Sequence, residues 1–239
     1  MKVIILAAGE SKRLRPLTEN KHKSLLRVGG RTILDRQLDA LRPYKPEKIV
    51  IVIGFEGDKI REHVAKEHAD LPMVFIENKD FQSTGAAHSL WLAQDYLVGT
   101  CLYLNGDVVC DPRIIKEIIE HKKDTVTAIH KNPWNEEQVN IIHDEDGKIL
   151  EIGKHIGPEK SHGEFLGITK IGKNFIGKLR NALSHITQNK NKKSFAVDAF
   201  NHAIKEGGKK YIVDVTHLPA IEIDTPEDLK IAEQLFDKN

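Results

Sequence analysis

The sequence predicts an α/β fold: a doubly wound, mostly parallel sheet flanked by helices, with a small β-hairpin and strand subregion attached. Three observations carry this. Runs such as Lys48-Ile49-Val50-Ile51-Val52-Ile53-Gly54 are apolar at every position. Such runs mark strands buried on both faces, since half-exposed strands alternate. The segments between them repeat apolar residues at helical spacing, and strand–helix–strand alternation is the pattern of a parallel sheet. After about residue 130 the rhythm changes to short strands around an Asp-Gly turn.

The elements follow in order. Val3-Ile4-Ile5-Leu6-Ala7-Ala8-Gly9 is the first buried strand. It is too short for a signal peptide and runs straight into Glu10, Lys12, Arg13 and Arg15. Ile33, Leu34, Leu38 and Leu41 share one helix face before the second strand at 48–53. Met73-Val74-Phe75-Ile76 is the third strand and Thr100-Cys101-Leu102-Tyr103-Leu104 the fourth, ending at Asn105-Gly106-Asp107. Ile114, Ile115, Ile118 and Ile119 form a helix face ahead of a fifth strand at 125–129. Residues 139–142 and 149–152 flank Asp144-Glu145-Asp146-Gly147, a hairpin turn signal. A strand at 165–169 and a helix carrying Ile176, Leu179, Leu183 and Ile186 come next. The basic stretch 188–194 reads as a surface segment rather than a linker. Val197, Phe200 and Ile204 give another helix, and 210–215 and 220–223 give short strands. Thr225-Pro226-Glu227-Asp228 opens the last helix, with Thr as N-cap, Pro at the first helical position and acids in the first turn.

Composition narrows the function. Lys and Arg number 36 against 35 Asp and Glu, a formal net charge of +1. That excludes a nucleic-acid binder driven by bulk positive charge, and leaves room for a local cationic pocket. No apolar run reaches the roughly 18–20 residues of a membrane span. Two cysteines, Cys101 and Cys110, exclude a disulfide scaffold and point to a reducing cytoplasm.

The strongest functional signal follows the first strand. Leu6, Ala7, Ala8 and Gly9 are small or apolar, so the backbone lets a ligand approach closely where open α/β sheets bind ligands. Arg13 and Lys23 add positive charge. Together they predict a nucleoside triphosphate site; the bland alternative is a tight turn with solvated basic residues. Asp107 and Asp224 each follow an apolar strand, which allows two acids from distant segments to converge on Mg²⁺. Trp134, in a loop, could hold a quaternary ammonium on its face or simply anchor the loop. Gly172-Lys173-Asn174-Phe175-Ile176-Gly177-Lys178 has P-loop spacing, but Leu179 stands where the Mg²⁺-binding hydroxyl belongs, and the stretch starts an amphipathic helix.

Leu6-Ala7-Ala8-Gly9-Glu10-Ser11-Lys12-Arg13-Leu14-Arg15-Pro16-Leu17-Thr18 resembles the signature L-A-A-G-x-G-[ST]-R-[LM]-x-P-L-T of the nucleotidyltransferases that make nucleoside-diphosphate sugars and alcohols. The resemblance continues through His22-Lys23-Ser24-Leu25-Leu26, Asn105-Gly106-Asp107 and Glu222-Ile223-Asp224-Thr225-Pro226-Glu227-Asp228, and so covers most of the chain. Two departures stand out: Ser11 replaces the second glycine of the signature, and His22 replaces the proline of P-K. The His-Lys variant, with Ser89-Leu90-Trp91-Leu92-Ala93-Gln94 and Glu151-Ile152-Gly153-Lys154, is similar to the choline-phosphate and phosphonate cytidylyltransferase branch.

What the resemblance implies is specific. The chain is expected to be one Rossmann-like nucleotidyltransferase domain, with a nucleotide-binding half at about 1–130 and an acceptor-binding half at about 131–239. Leu6, Ala7, Ala8, Gly9, Ser83, Gly85 and Ala86 are expected around the nucleotide, with Thr84 as an alternative helix N-cap. Arg13 and Lys23 are expected on the triphosphate, Asp107 and Asp224 on Mg²⁺, and Lys154 on the acceptor's phosphoryl group. Trp134 and Glu164 are further acceptor-site candidates. The implied reaction joins CMP from CTP to a phosphocholine-like or 2-aminoethylphosphonate-like acceptor and releases pyrophosphate. The alternatives are a sugar-1-phosphate nucleotidyltransferase using dTTP, UTP or GTP, and a non-catalytic nucleotide sensor. The expected protein is cytoplasmic, binds no nucleic acid, has no membrane span, and is compatible with a homo-oligomer.

Overall fold

The computed structural model describes residues 1–188 and 193–236. Residues 189–192, in the basic stretch read as a surface segment, lie outside the described residues. The first half of the chain holds β1 (Lys2–Ala7), β2 (Arg27–Val28), β3 (Arg31–Thr32), α1 (Ile33–Leu41), β4 (Lys48–Ile53), α2 (Gly57–Glu67), β5 (Met73–Glu77), α3 (Ala86–Leu92), β6 (Cys101–Asn105), β7 (Val108–Cys110) and α4 (Pro112–Glu120). The second holds β8 (Val126–His130), β9 (Asn140–His143), β10 (Ile149–Gly153), β11 (Glu164–Ile171), α5 (Lys173–Gln188), α6 (Ala196–Lys205), β12 (Tyr211–Asp214), β13 (Ala220–Glu222) and α7 (Pro226–Phe236).

A nine-stranded sheet runs β10-β9-β11-β6-β1-β4-β5, with β8 and β12 joined through β11. The stretch β6-β1-β4-β5 is parallel throughout. β11 joins antiparallel to β6, and β9 and β10 form the hairpin. Its turn is set by Gly147, at φ +74°, and by Asp144, whose Oδ1 accepts from the backbone of Asp146 and Lys148.

The continuous apolar runs are explained by burial on both faces. Val3, Ile5, Ile49 and Ile51 pack against α1, α2 and α4. Their neighbours Ile4, Val50 and Val52 pack on the opposite face, with α3, α5 and α6. Successive strand side chains alternate between faces, so both faces being apolar requires helices on both sides. The P-loop look-alike starts α5: Phe175, Ile176 and Leu179 are core, and Asp124 Oδ2 accepts from Asn174 N.

Helix α1 is fixed at its start. Thr32 and Asp35 form its capping box. The second oxygen of Asp35 accepts from His63 Nε2 at 2.6 Å and His68 Nε2 at 2.8 Å, stapling α1 to the α2 region. Arg42, a donor only, faces His68 Nδ1 at 2.9 Å, so the His68 proton sits on Nε2 and that nitrogen offers no lone pair to a metal.

Candidate active site

The carboxyl ends of β1, β5 and β6 open into a cleft of about 590 Å³. Leu6, Ala7, Ala8 and Gly9 line it, as do Gly85 and Ala86. Nothing stands within 4 Å of where a Gly9 side chain would begin, so that position faces the open cleft. Gly85 has a different reason to be glycine. A Cβ there would lie 2.3 Å from Ser194 O, so the position has no room for a side chain. Thr84 is not the cap of α3. Gly85 holds the N-cap position, and Thr84 Oγ1 instead donates to Asp80 O. Ser83 Oγ also donates to Asp80 O, and Ser83 is not part of the cleft lining.

Two short 3₁₀ turns, Lys12–Leu14 and Lys23–Leu25, carry the cations. Buried Leu14 and Leu25 anchor them, which leaves Arg13 and Lys23 directed into the cleft. The second turn is capped by His22, whose Nδ1 accepts from Ser24 N. Burial, then the charge of Lys23, pushes His22 down to about 3, so its ring is neutral. In the first turn Ser11 holds φ 51° and ψ 48°, a left-handed conformation. The backbone therefore keeps the glycine-type turn despite the serine. Thr18 Oγ1 donates to Ser11 O at 2.9 Å and helps to hold it.

The sequence-predicted charged residues converge. Lys23 Nζ lies 2.6 Å from Asp107 Oδ2 and 2.9 Å from Asp224 Oδ1. Arg13 spans Asp224 Oδ2 at 2.7 Å and Glu137 Oε2 at 2.9 Å, and Lys154 Nζ reaches the same Glu137 oxygen at 3.3 Å. Burial alone would lower Lys23, but Asp107 and Asp224 outweigh it and push the ammonium upward. Burial would raise Asp224, and Lys23, followed by Arg13, holds it below the usual carboxylate range. Asp107 Oδ1 is buried and has no hydrogen-bond partner. The Asp224 segment is held against the Asp107 turn by the β7–β13 pair and by Ile223 N donating to Asp107 O at 3.0 Å. Thr225 also caps α7 through Asp228 N, so the cap and the site share adjacent residues.

A second cavity of about 360 Å³ adjoins the cleft. Ala86, Asn105, Val139, Lys154, Phe195 and Glu222 line both, so Lys154 stands at the junction. Tyr103, Ile152 and Phe165 give it apolar walls, and Asp198 and Asn201 add polar groups. Asn105 is held from both sides: Tyr103 OH donates to its Oδ1 at 2.5 Å, and its Nδ2 donates to Glu222 Oε1 at 2.8 Å. Burial, reinforced by Asp107, pushes the Glu222 carboxyl well above the usual carboxylate range.

Trp134 and Glu164 line neither cavity. Trp134 is 38% exposed and donates through Nε1 to Ile156 O, which makes it a loop anchor. Glu164 accepts from Asn132 and Gln138 beside the hairpin. Sequence reading missed Asn78, Phe81, Ser89, Phe195, Asp198 and Asn201 as lining residues. Only Asn78 and Ser89 left a usable trace, as polar residues flanking the predicted loop; they hydrogen-bond each other at 3.0 Å.

Comparison with known proteins fits this geometry. Residues 3–194 match the family model described as the MobA-like NTP transferase domain. A UTP–glucose-1-phosphate uridylyltransferase of Haloferax volcanii is 30% identical over 139 residues, covering 57% of this chain and 56% of that protein. The chain spans about half the length of the curated relatives it matches. The inositol-1-phosphate CTP transferase of T. maritima superposes with a TM-score of 0.81 at 21% identity, covering 99% of this chain and 95% of that one. The CTP:phosphocholine cytidylyltransferase of Streptococcus pneumoniae gives 0.79 at 21%, covering 98% and 97%. Those identities speak to fold alone. The family match, spanning most of the chain and both cationic turns, identifies the chain as a member of the MobA-like NTP transferase family, a nucleotidyltransferase.

Proposed function

We propose that this nucleotidyltransferase moves CMP from CTP onto a small phosphorylated amino alcohol or aminophosphonate and releases pyrophosphate. One observation carries the acceptor class: the adjoining cavity has a cation at its junction with the cleft, apolar walls, and the carboxylate of Asp198. A zwitterion suits that set, its phosphoryl end at Lys154 and its ammonium end at Asp198 and the aromatic faces.

The residues present fit a divalent cation. Asp107 and Asp224 converge on one ammonium, and the unpartnered buried Asp107 Oδ1 is a hard oxygen donor. When bound there, Mg²⁺ would neutralise triphosphate charge. The acceptor oxyanion is itself the nucleophile, so no Ser, Cys or His need be activated. Its oxygen forms a bond to the α-phosphorus as the bond to the pyrophosphate oxygen breaks. Arg13 and Lys23 counter the phosphate charge, and Lys154 brings the second anion alongside. Glu137 pairs with both Arg13 and Lys154, so an anion drawn to either would compete with it.

A sugar 1-phosphate with UTP is the second reading, favoured by the uridylyltransferase among the relatives. Pyrophosphate release measured over a grid of four triphosphates and both acceptor classes separates them. CTP with phosphocholine or 2-aminoethylphosphonate is expected to lead. Faster turnover of a sugar 1-phosphate with UTP, dTTP or GTP would replace the first reading, and no release with any pair would end both.

A further inference from the structure

The turn that presents Asp107 is gripped from behind by a residue outside both cavities. Gln37, on α1, is 6% exposed. Its Nε2 donates one hydrogen to Asn105 O at 2.8 Å and the other to Val108 O at 2.9 Å. These two carbonyls bracket Gly106 and Asp107. The Gln37 Oε1 is buried with no partner. The amide is therefore used only as a two-hydrogen donor, although a buried orphan acceptor is unfavourable. On its other side the turn is held by Gly106 N donating to Leu6 O at 2.9 Å and by Ile223 N donating to Asp107 O. A Cβ at Gly106 would lie 2.4 Å from Leu6 O, so the turn has no room to shift toward β1. Gln37 closes the remaining direction.

We propose that Gln37 is a positioning residue for Asp107: by pinning the two flanking carbonyls to α1, it keeps the carboxylate aimed at the cation site it shares with Asp224. The proposal rests on the reading of Asp107 as a Mg²⁺ ligand in nucleotidyl transfer. Helix α1 is well suited to the task, because its start is fixed by the capping box and by the bonds of Asp35 to His63 and His68.

The test compares Gln37→Met, which keeps length but removes both donors, with Gln37→Glu, which sets a carboxylate against two carbonyls. Leu38→Ala, a core change on the same helix, controls for stability. Three quantities are read: hydrogen exchange of the amides at 105–108, the Mg²⁺ concentration for half-maximal turnover, and kcat and KM for the triphosphate. Gln37→Met is expected to speed exchange in the turn at least tenfold. Its kcat should fall about tenfold, its Mg²⁺ requirement should rise severalfold, and its triphosphate KM should stay within threefold. Gln37→Glu should lose more. Leu38→Ala should lower the melting temperature without moving the Mg²⁺ requirement. An active wild type whose Gln37→Met variant keeps its exchange rates and Mg²⁺ requirement, or merely follows the stability loss of Leu38→Ala, overturns this proposal alone. A wild type that transfers no nucleotide overturns the reading on which it rests, and this proposal with it.

Discussion

In the larger cleft, Arg13, Lys23 and Asp107 come from turns directly after parallel strands or from the signature segment, and each is met within a few ångströms by an opposite charge. In the smaller cavity, Val139, Ile152, Phe165, Asp198 and Glu222 come from five separate segments, and the lining is mostly apolar. The cleft is a set of opposed charges whose chemistry is fixed by a few groups. The cavity is a shape, to which many side chains contribute a little each. Substitutions should therefore act steeply in the first region and gradually in the second.

The steepest effect is expected from Asp107→Asn, which removes charge with little change in volume. Turnover should fall on the order of 100-fold, as for the loss of one well-placed electrostatic group, while the melting temperature holds. Near-wild-type pyrophosphate release from a folded variant would take Asp107 out of the chemistry. Lys154→Ala comes next, at the boundary between the regions. Losing one charge-assisted bond to the acceptor should cost about 10–100-fold in turnover, with triphosphate affinity, titrated without acceptor, nearly unchanged. An equal loss of triphosphate affinity would assign Lys154 to the cleft instead.

Glu137→Gln should act in the opposite direction. On the proposed function its carboxylate would compete with phosphate for Arg13 and Lys154, but the pairs are exposed, so removal should tighten triphosphate binding no more than about fivefold. Calorimetric titration at low and high salt would show it, and weaker binding would mean that Glu137 organises the cations rather than competing for them. Ser11→Gly should raise stability by up to about 1 kcal/mol, because glycine adopts the left-handed turn without the cost a side chain incurs. Denaturant melts decide this, and a loss of stability would show that the serine side chain stabilises the turn. Smallest of all, Trp134→Phe should leave turnover within about twofold, as expected of an exposed residue outside both cavities. A larger change in acceptor KM would return Trp134 to the acceptor site.

How legible each region was in the sequence follows from the same contrast. The parallel strands were readable because burial on both faces makes them continuously apolar. That Arg13, Lys23, Asp107 and Asp224 meet was legible because the family signature marks them by position in its separate segments, and the fold brings those segments together. The Ser11 departure was visible, yet its consequence was not, since a left-handed serine needs the rest of the turn to hold it. Trp134 could be read two ways because a loop tryptophan looks the same in sequence whether its indole donates to Ile156 O, as it does, or faces a ligand. Phe195 and Asp198 look like ordinary residues at the start of a helix, where they do form a capping contact; only the tertiary fold turns them toward the cavity. Gln37 carried no signal, because its partners are backbone carbonyls 68 and 71 positions away.

Strand β11 lines the smaller cavity through Phe165 and lies against Asn105, which lines both regions. Its residues 168–171 pair with β6 and Glu164 pairs with β9, and the register with β8 shifts between Phe165 and Thr169. Gly167 sits at that shift with φ +66°, and a Cβ there would lie 2.5 Å from Asn105 Nδ2. The end of the strand that pairs with β6 and the end that pairs with β9 are therefore held by different neighbours. A side chain at Gly167 would meet both the left-handed backbone and the Asn105 amide, so any substitution there would disturb the strand and the shared wall of the two cavities together.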